Sequence, residues 1–161
     1  MIKIDNLSQA YGLTNVSCQI PQGKLVGIMG ANGAGKSTLL KSIAGILPIS
    51  SGDTWLGEHK LSDMTAIQKS QQLAYLAQST EIHWDLSVYE VITLGLPQTL
   101  AHAKEQEKVR SISETFSVTH LLDKPFQQLS GGEKARVQLA RCCIKEAPLT
   151  QIGRASCRER V

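Results

Sequence analysis

Apolar and polar residues alternate over two stretches near the start of the chain. Ile2 and Ile4 are spaced by polar residues, and Val16, Cys18 and Ile20 repeat the pattern after a turn signal at Tyr11-Gly12. Successive strand side chains point to opposite faces, so both stretches predict strands of an antiparallel sheet. Pro21-Gln22-Gly23 closes the second. The apolar run Lys24-Leu-Val-Gly-Ile-Met29 then has the pattern of a buried central strand. Beyond it the period lengthens. Leu39, Ile43 and Leu47 lie four apart with Leu40 and Ala44 beside them, which predicts a helix stopped by Pro48.

Ser51-Gly52-Asp53 opens a hairpin-like stretch through Trp55, Leu56 and Gly57, and Thr65 to Gln72 predicts a short helix before a buried strand, Leu73 to Ala77. From about Ser87 the chain is helical in character. Val88, Val91 and Ile92 share one face, as do Val109, Ile112 and Phe116, and Gly131-Gly132 opens a last helix with Val137, Ala140, Cys143 and Ile144 on one side. No internal repeat or low-complexity segment interrupts this order. The pattern is that of an α/β fold with an N-terminal antiparallel sheet and a helical part from about Ser87.

The last ten residues, Ile152 to Val161, share neither period. They resemble a one-frame translation of a common short-read sequencing adapter, and 151–161 is set aside as a non-native tail. Its removal changes the charge picture. The whole chain carries 17 basic and 14 acidic residues, but the tail holds three of the arginines and one glutamate, so the body is nearly neutral. Bulk attraction to nucleic acid is not expected.

A length of 161 residues suits one domain. No apolar run approaches the ~20 residues that cross a bilayer, and the N-terminus lacks a signal-peptide core, so a cytosolic location is the expectation. Cys18, Cys142, Cys143 and Cys157 form no Cys-x-x-Cys pair, and neighbours on a helix point about 100° apart. Reduced thiols are expected. The four histidines are scattered and predict no zinc site.

The strongest chemical signal is Gly30-Ala-Asn-Gly-Ala-Gly-Lys36-Ser37, which matches G-x-x-x-x-G-K-[ST]. Glycines here allow a tight loop whose N–H groups turn inward on phosphates. The following helix N-terminus favours an anion. Lys36 supplies a charge to the β/γ-phosphates, and the Ser37 hydroxyl is placed for Mg²⁺. The nucleotide-binding set predicted from this loop is Gly30, Asn32, Gly33, Ala34, Gly35, Lys36, Ser37 and Thr38.

A second motif selects the family. Leu129-Ser130-Gly131-Gly132-Glu133, opening a helix with Arg136 and Arg141, resembles the signature sequence of ATP-binding-cassette (ABC) ATPases. The resemblance covers residues 1 to about 149. It implies a P-loop NTPase core of the ABC ATPase type, with an N-terminal antiparallel β-subdomain and a helical subdomain over about 79–145. It implies ATP and Mg²⁺ as cofactors, Tyr11 stacked on adenine, and Gln78 reaching Mg²⁺. Ser130, Gly131, Gly132 and Glu133 would act in trans on the γ-phosphate held by a second, head-to-tail copy of the subunit. The region from Gln78 to Asp85 would lie against a membrane permease, leaving the subunit peripheral on the cytoplasmic face of the plasma membrane. Trp84 suits either burial in the helical part or contact with that partner. Trp84-Asp-Leu-Ser-Val-Tyr-Glu-Val-Ile-Thr-Leu-Gly95 resembles the importers of iron-siderophore, haem and cobalamin. The alternative function is an ABC-type ATP-binding protein or fragment with no transport role.

The same resemblance marks what this chain lacks. An aspartate that supports Mg²⁺, a glutamate that polarises water and a later histidine would follow Ala147-Pro148-Leu149, where the foreign tail stands instead. The fold is therefore expected to be truncated before its Walker B strand, with no catalytic residue intact and with an open apolar edge beside the P-loop strand.

Overall fold

The computed structural model describes residues 1–10, 12–78, 82, 84–97 and 100–153. The chain divides into two compact units, Met1–Leu73 and Ala74–Val161.

The first unit is built on four antiparallel strands, β1 (Ile2–Gln9), β2 (Leu13–Ile20), β3 (Ser51–Leu56) and β4 (His59–Lys60), in the order β2-β1-β3-β4. Central β1 pairs Ile4 with Cys18 on one side and with Thr54 on the other. Its inward face carries Ile2, Ile4, Leu7 and Gln9, all buried. The spacing changes phase after Ile4 because Asn6 adopts φ 49° at an irregularity in both ladders, which re-aims Leu7 into the core. Edge strand β2 leaves Cys18 exposed.

Two helices complete this unit, α1 (Lys36–Ile43) and α2 (Ala66–Gln72). Helix α1 ends well before Pro48. The Ile46 N–H bonds the Lys41 carbonyl at 2.9 Å and the Gly45 N–H bonds Ser42 at 3.1 Å, so a glycine-based C-cap stops the helix first. Leu47 is thus outside the helix its spacing suggested. Helix α2 starts where expected, through a reciprocal cap between Thr65 and Gln68.

The run Lys24–Met29 does not form the buried central strand that its composition predicts. It takes no strand conformation, and Leu25 and Met29 are 101% and 91% exposed. An apolar run becomes a central strand only when neighbours pair both its edges and cover both its faces. Among the described residues no strand is hydrogen-bonded to it.

The second unit holds strand β5 (Leu73–Leu76, its first residue at the unit boundary), strand β6 (Leu149–Ile152), and helices α3 (Val88–Thr93), α4 (His102–Thr115) and α5 (Gly131–Cys143). The helical core is dense: Val88, Val91, Ile92, Val109, Val118, Leu121, Val137 and Ala140 are fully buried. Each larger aliphatic side chain here contributes about 1.5–3 kcal/mol by leaving water. Gly95 lies against the Arg141 carbonyl of α5, a close approach with no room for a Cβ. Helix α5 buries two sides. Val137, Ala140 and Ile144 face the helical core, whereas Cys142 packs with Ala74 and Leu76 of β5. Cys143, expected on the buried side, is only half-buried.

Strands β5 and β6 form a two-stranded sheet. The chain therefore does enter a strand after Pro148, and that strand includes Ile152, the first residue of the segment predicted to lack strand character. The ladder continues to a Gly153 N–H bond to the Leu76 carbonyl at 2.8 Å. Residues 154–161 lie outside the described residues.

Candidate nucleotide site

The loop 30–35 turns the chain from the exposed run 24–29 into helix α1. Gly33 and Gly35 both take φ +83°, in the left-handed region that costs other residues energy. Gly35 is constrained twice, because a Cβ there would lie 2.8 Å from the Gly12 carbonyl oxygen and 2.8 Å from Leu13 Cδ2. It is also the N-cap of α1, and no side chain caps the helix. Four N–H groups at such a terminus have no intrahelical acceptor, and the helix dipole adds positive potential. Lys36 stands at the first helical position, its ammonium donating to the carbonyls of Gly30 (2.7 Å) and Ala31 (2.6 Å). The ammonium is thus held at the start of the loop by the loop's own carbonyls. Asn32 and Ser37 are exposed, Ala34 is exposed beside them, and Thr38 is half-buried.

These features suit a phosphate chain. Positive-φ glycines, an uncapped helix start and a lysine bonded to the loop carbonyls make an anion cradle. They suit a metal only jointly with that anion. No group of three or more His, Cys, Asp or Glu that could hold a metal occurs among the described residues. A cation here would rest on phosphate oxygens and neutral side chains such as Ser37. Tyr11, the expected adenine platform, lies outside the described residues.

Ser130 and Glu133 begin helix α5 with a reciprocal cap. The Glu133 carboxylate accepts from the Ser130 N–H (2.8 Å) and from its Oγ–H (2.6 Å), and the Glu133 N–H donates back to Ser130 Oγ at 3.4 Å. These bonds hold the Glu133 carboxyl below its ordinary range, aided by Lys124 and Arg136. Gly131 and Gly132 are not required by this chain's own packing. Neither has positive φ, and a Cβ on either would meet nothing within 4 Å.

Gln78 is exposed just past the end of β5. It lines a cavity of about 230 Å³ together with Gly131, Lys134, Ala135 and Gln138 of α5. Gln138 is buried, and neither amide atom of its side chain has a hydrogen-bond partner. Sequence reasoning passed over it. The available signal was a polar side chain between Val137 and Leu139 in a helix with two apolar sides. Of the stretch from Gln78 to Asp85, Ser79, Thr80, Glu81 and His83 lie outside the described residues, and Trp84 is 71% exposed. Strand β6 carries Leu149, Thr150, Gln151 and Ile152, and so brings no carboxylate.

Three comparisons bear on this arrangement. The sequence profile of the family described as "ABC transporter" matches residues 13–152. The chain is 44% identical over 154 residues to the hemin import ATP-binding protein HmuV of Bordetella parapertussis, covering 89% of this chain and 58% of that protein. It is 33% identical to the zinc transport system ATP-binding protein TroB of Treponema pallidum, covering 92% of this chain and again 58% of the relative. Among solved structures, cbiO1 from Clostridium perfringens, part of the ABC transporter complex cbiONQ, superposes with a TM-score of 0.83 at 26% identity, covering 94% of this chain and 64% of that one. The chain thus spans a little under two thirds of the length of these relatives.

Proposed function

The chain belongs to the ABC transporter family, and from that premise we propose that it is the ATP-binding part of an importer's energy-coupling ATPase, which binds Mg-ATP but in this form does not turn it over. The observation that carries the reading is the loop 30–38: left-handed glycines, an uncapped helix start and a lysine held over it. Backbone N–H groups of Gly30, Asn32, Gly33, Ala34 and Gly35 take the phosphates. Lys36 moves from its two carbonyls to the β/γ-phosphates, and Ser37 and Thr38 bond at the helix start. Ser37 and, by the family resemblance, Gln78 would hold Mg²⁺ bound with the nucleotide, which would screen the phosphate charge. Tyr11 stacks on adenine.

Two copies placed head to tail bring Ser130, Gly131, Gly132 and Glu133 of one to the nucleotide of the other. The open space at Gly131 and Gly132 supports this role, because glycines that the chain's own fold does not need suit the close approach of another molecule. The stretch from Gln78 to Asp85, with exposed Trp84, is the contact for a permease, which holds the subunit at the cytoplasmic face of the membrane. No helix among the described residues is long and apolar enough to cross a membrane. The cargo is an iron complex or haem, by the similarity to a hemin importer's ATPase above that to a zinc importer's.

Turnover needs a carboxylate to support the metal and another to orient water, and β6 supplies neither. A second reading, nucleotide capture without transport, is favoured by that same strand. Co-expression with an importer permease separates the two: co-purification supports the coupling subunit, and a chain that binds ATP without retaining a permease supports capture. Phosphate release above that of a Lys36→Ala control would overturn the proposal of an inactive chain.

A further inference from the structure

Helix α5 presents one face, carrying Gly131, Lys134, Ala135 and Gln138 at helical spacing, to the cavity of about 230 Å³ beside the end of β5. Gln138 is 7% exposed, and both its amide oxygen and its amide nitrogen are buried with no hydrogen-bond partner. A buried amide in that condition carries its full desolvation cost, which an apolar side chain of similar size would avoid. Nothing in the helical packing repays that cost, so the amide points to a group that arrives from outside the chain. We propose that this cavity binds a small carboxamide, with the Gln138 amide as its recognition group. The site lies within the second unit and does not depend on the nucleotide reading.

The polar groups of the cavity select the ligand's chemistry. Gln138 has an acceptor and a donor to satisfy, and a primary carboxamide answers both at once. The ligand N–H donates to Gln138 Oε1, and the ligand carbonyl accepts from Gln138 Nε2–H. A carboxylate only accepts, so it would leave Oε1 unpaired. Of the residues lining the cavity, Lys134 alone is charged. Its ammonium is already engaged, donating to the Gln127 carbonyl at 2.9 Å and standing 5.9 Å from the centre of the Phe126 ring. The site therefore suits a neutral ligand. Leu76, Ala77 and Leu139 provide apolar wall for the ligand's body, and the volume suits one ring. The amide reaches such a ligand by rotation about the Gln138 side-chain torsions, the last of which is broad.

The test is a titration of benzamide into the ¹⁵N-labelled whole chain, followed by NMR at the Gln138 side-chain NH₂ and the backbone amides of Ala77, Gln78 and Ala135. Saturable shifts at these groups are expected, with a Kd of about 1 mM, a fragment's affinity. Benzoate and toluene should bind at least tenfold more weakly, because each forgoes hydrogen bonds to Gln138. Gln138→Leu removes the unpaired amide, so it should melt at or above the wild-type temperature while binding benzamide at least tenfold more weakly. No saturable shift at Gln138 up to about 20 mM benzamide would overturn the site. Benzamide binding to Gln138→Leu within threefold of wild type would overturn the role of the amide. Equal binding of benzoate would overturn the carboxamide class. A lower melting temperature for Gln138→Leu would show the amide to be paired within the fold, and would overturn the premise.

Discussion

Gly35→Ala isolates the geometry on which the phosphate cradle depends. At φ +83° the alanine methyl costs about 1–2 kcal/mol in backbone strain. It would also stand 2.8 Å from both the Gly12 carbonyl oxygen and Leu13 Cδ2, and the first of these is backbone that cannot rotate away. Overpacking of that kind adds about 1–3 kcal/mol. The run leading into the loop is exposed and does not hold it in place. Strain is therefore relieved by displacing the loop, which takes its N–H groups off the phosphates. The loss should appear in affinity rather than in melting temperature. About 3 kcal/mol corresponds to about a hundredfold weaker Kd. Gly33→Ala is the control: the same φ, but nothing within 4 Å of the added methyl, so only the backbone cost remains, about tenfold. Fluorescence anisotropy with a labelled ATP analogue measures both. Gly35→Ala binding within threefold of wild type, or a smaller loss than Gly33→Ala shows, would refute the reasoning.

Gly95→Ala should destabilise the helical unit by about 2–3 kcal/mol, because its methyl would strike the Arg141 carbonyl and lie 2.6 Å from Ile144 Cγ2. Urea unfolding followed by far-UV circular dichroism reads this, with nucleotide affinity as the unaffected control. The Cys142 thiol is pushed by burial from 9.0 up to about 11. Below pH 9 the folded and unfolded states both keep the proton and stability is complete. Between about pH 9 and 11 the unfolded state loses it first, so stability falls as pH rises. Cys142→Ala should flatten the pH dependence of the unfolding midpoint over that window, and an unchanged slope would count against burial as the cause. Thiol-specific labelling at pH 8 should modify exposed Cys18 well before Cys142.

Sequence patterns were most informative where structure follows from local chemistry. The caps at Thr65 and the periodic faces of α3 and α4 lie where the residue spacing puts them. The phosphate loop was readable because each glycine answers a backbone need that few other residues meet. Lys24–Met29 was misread for a physical reason: its burial depends on strands pairing at both its edges, and hydrophobicity cannot report their presence. The end of α1 was misplaced because Gly45 offered its carbonyls partners before Pro48 could break the helix. Cys143 and Cys142 differ by one position on a helix buried on two sides, and a single-face reading assigned the core to the wrong one. Gln138 and the carboxylate cap at Ser130 were likewise present as residues but not as contacts. The identity of a side chain does not state which donors it will occupy.

The most direct test of the central claim is the fate of ATP bound by this chain. The chain is incubated with Mg²⁺ and ATP labelled at the γ-phosphate, protein-bound nucleotide is separated by rapid filtration, and its label is resolved by chromatography. About one ATP should be retained per chain, intact after hours, with at least tenfold less retained by Lys36→Ala. Recovery of label as free phosphate faster than in the Lys36→Ala control, or equal retention by the two proteins, would contradict the claim.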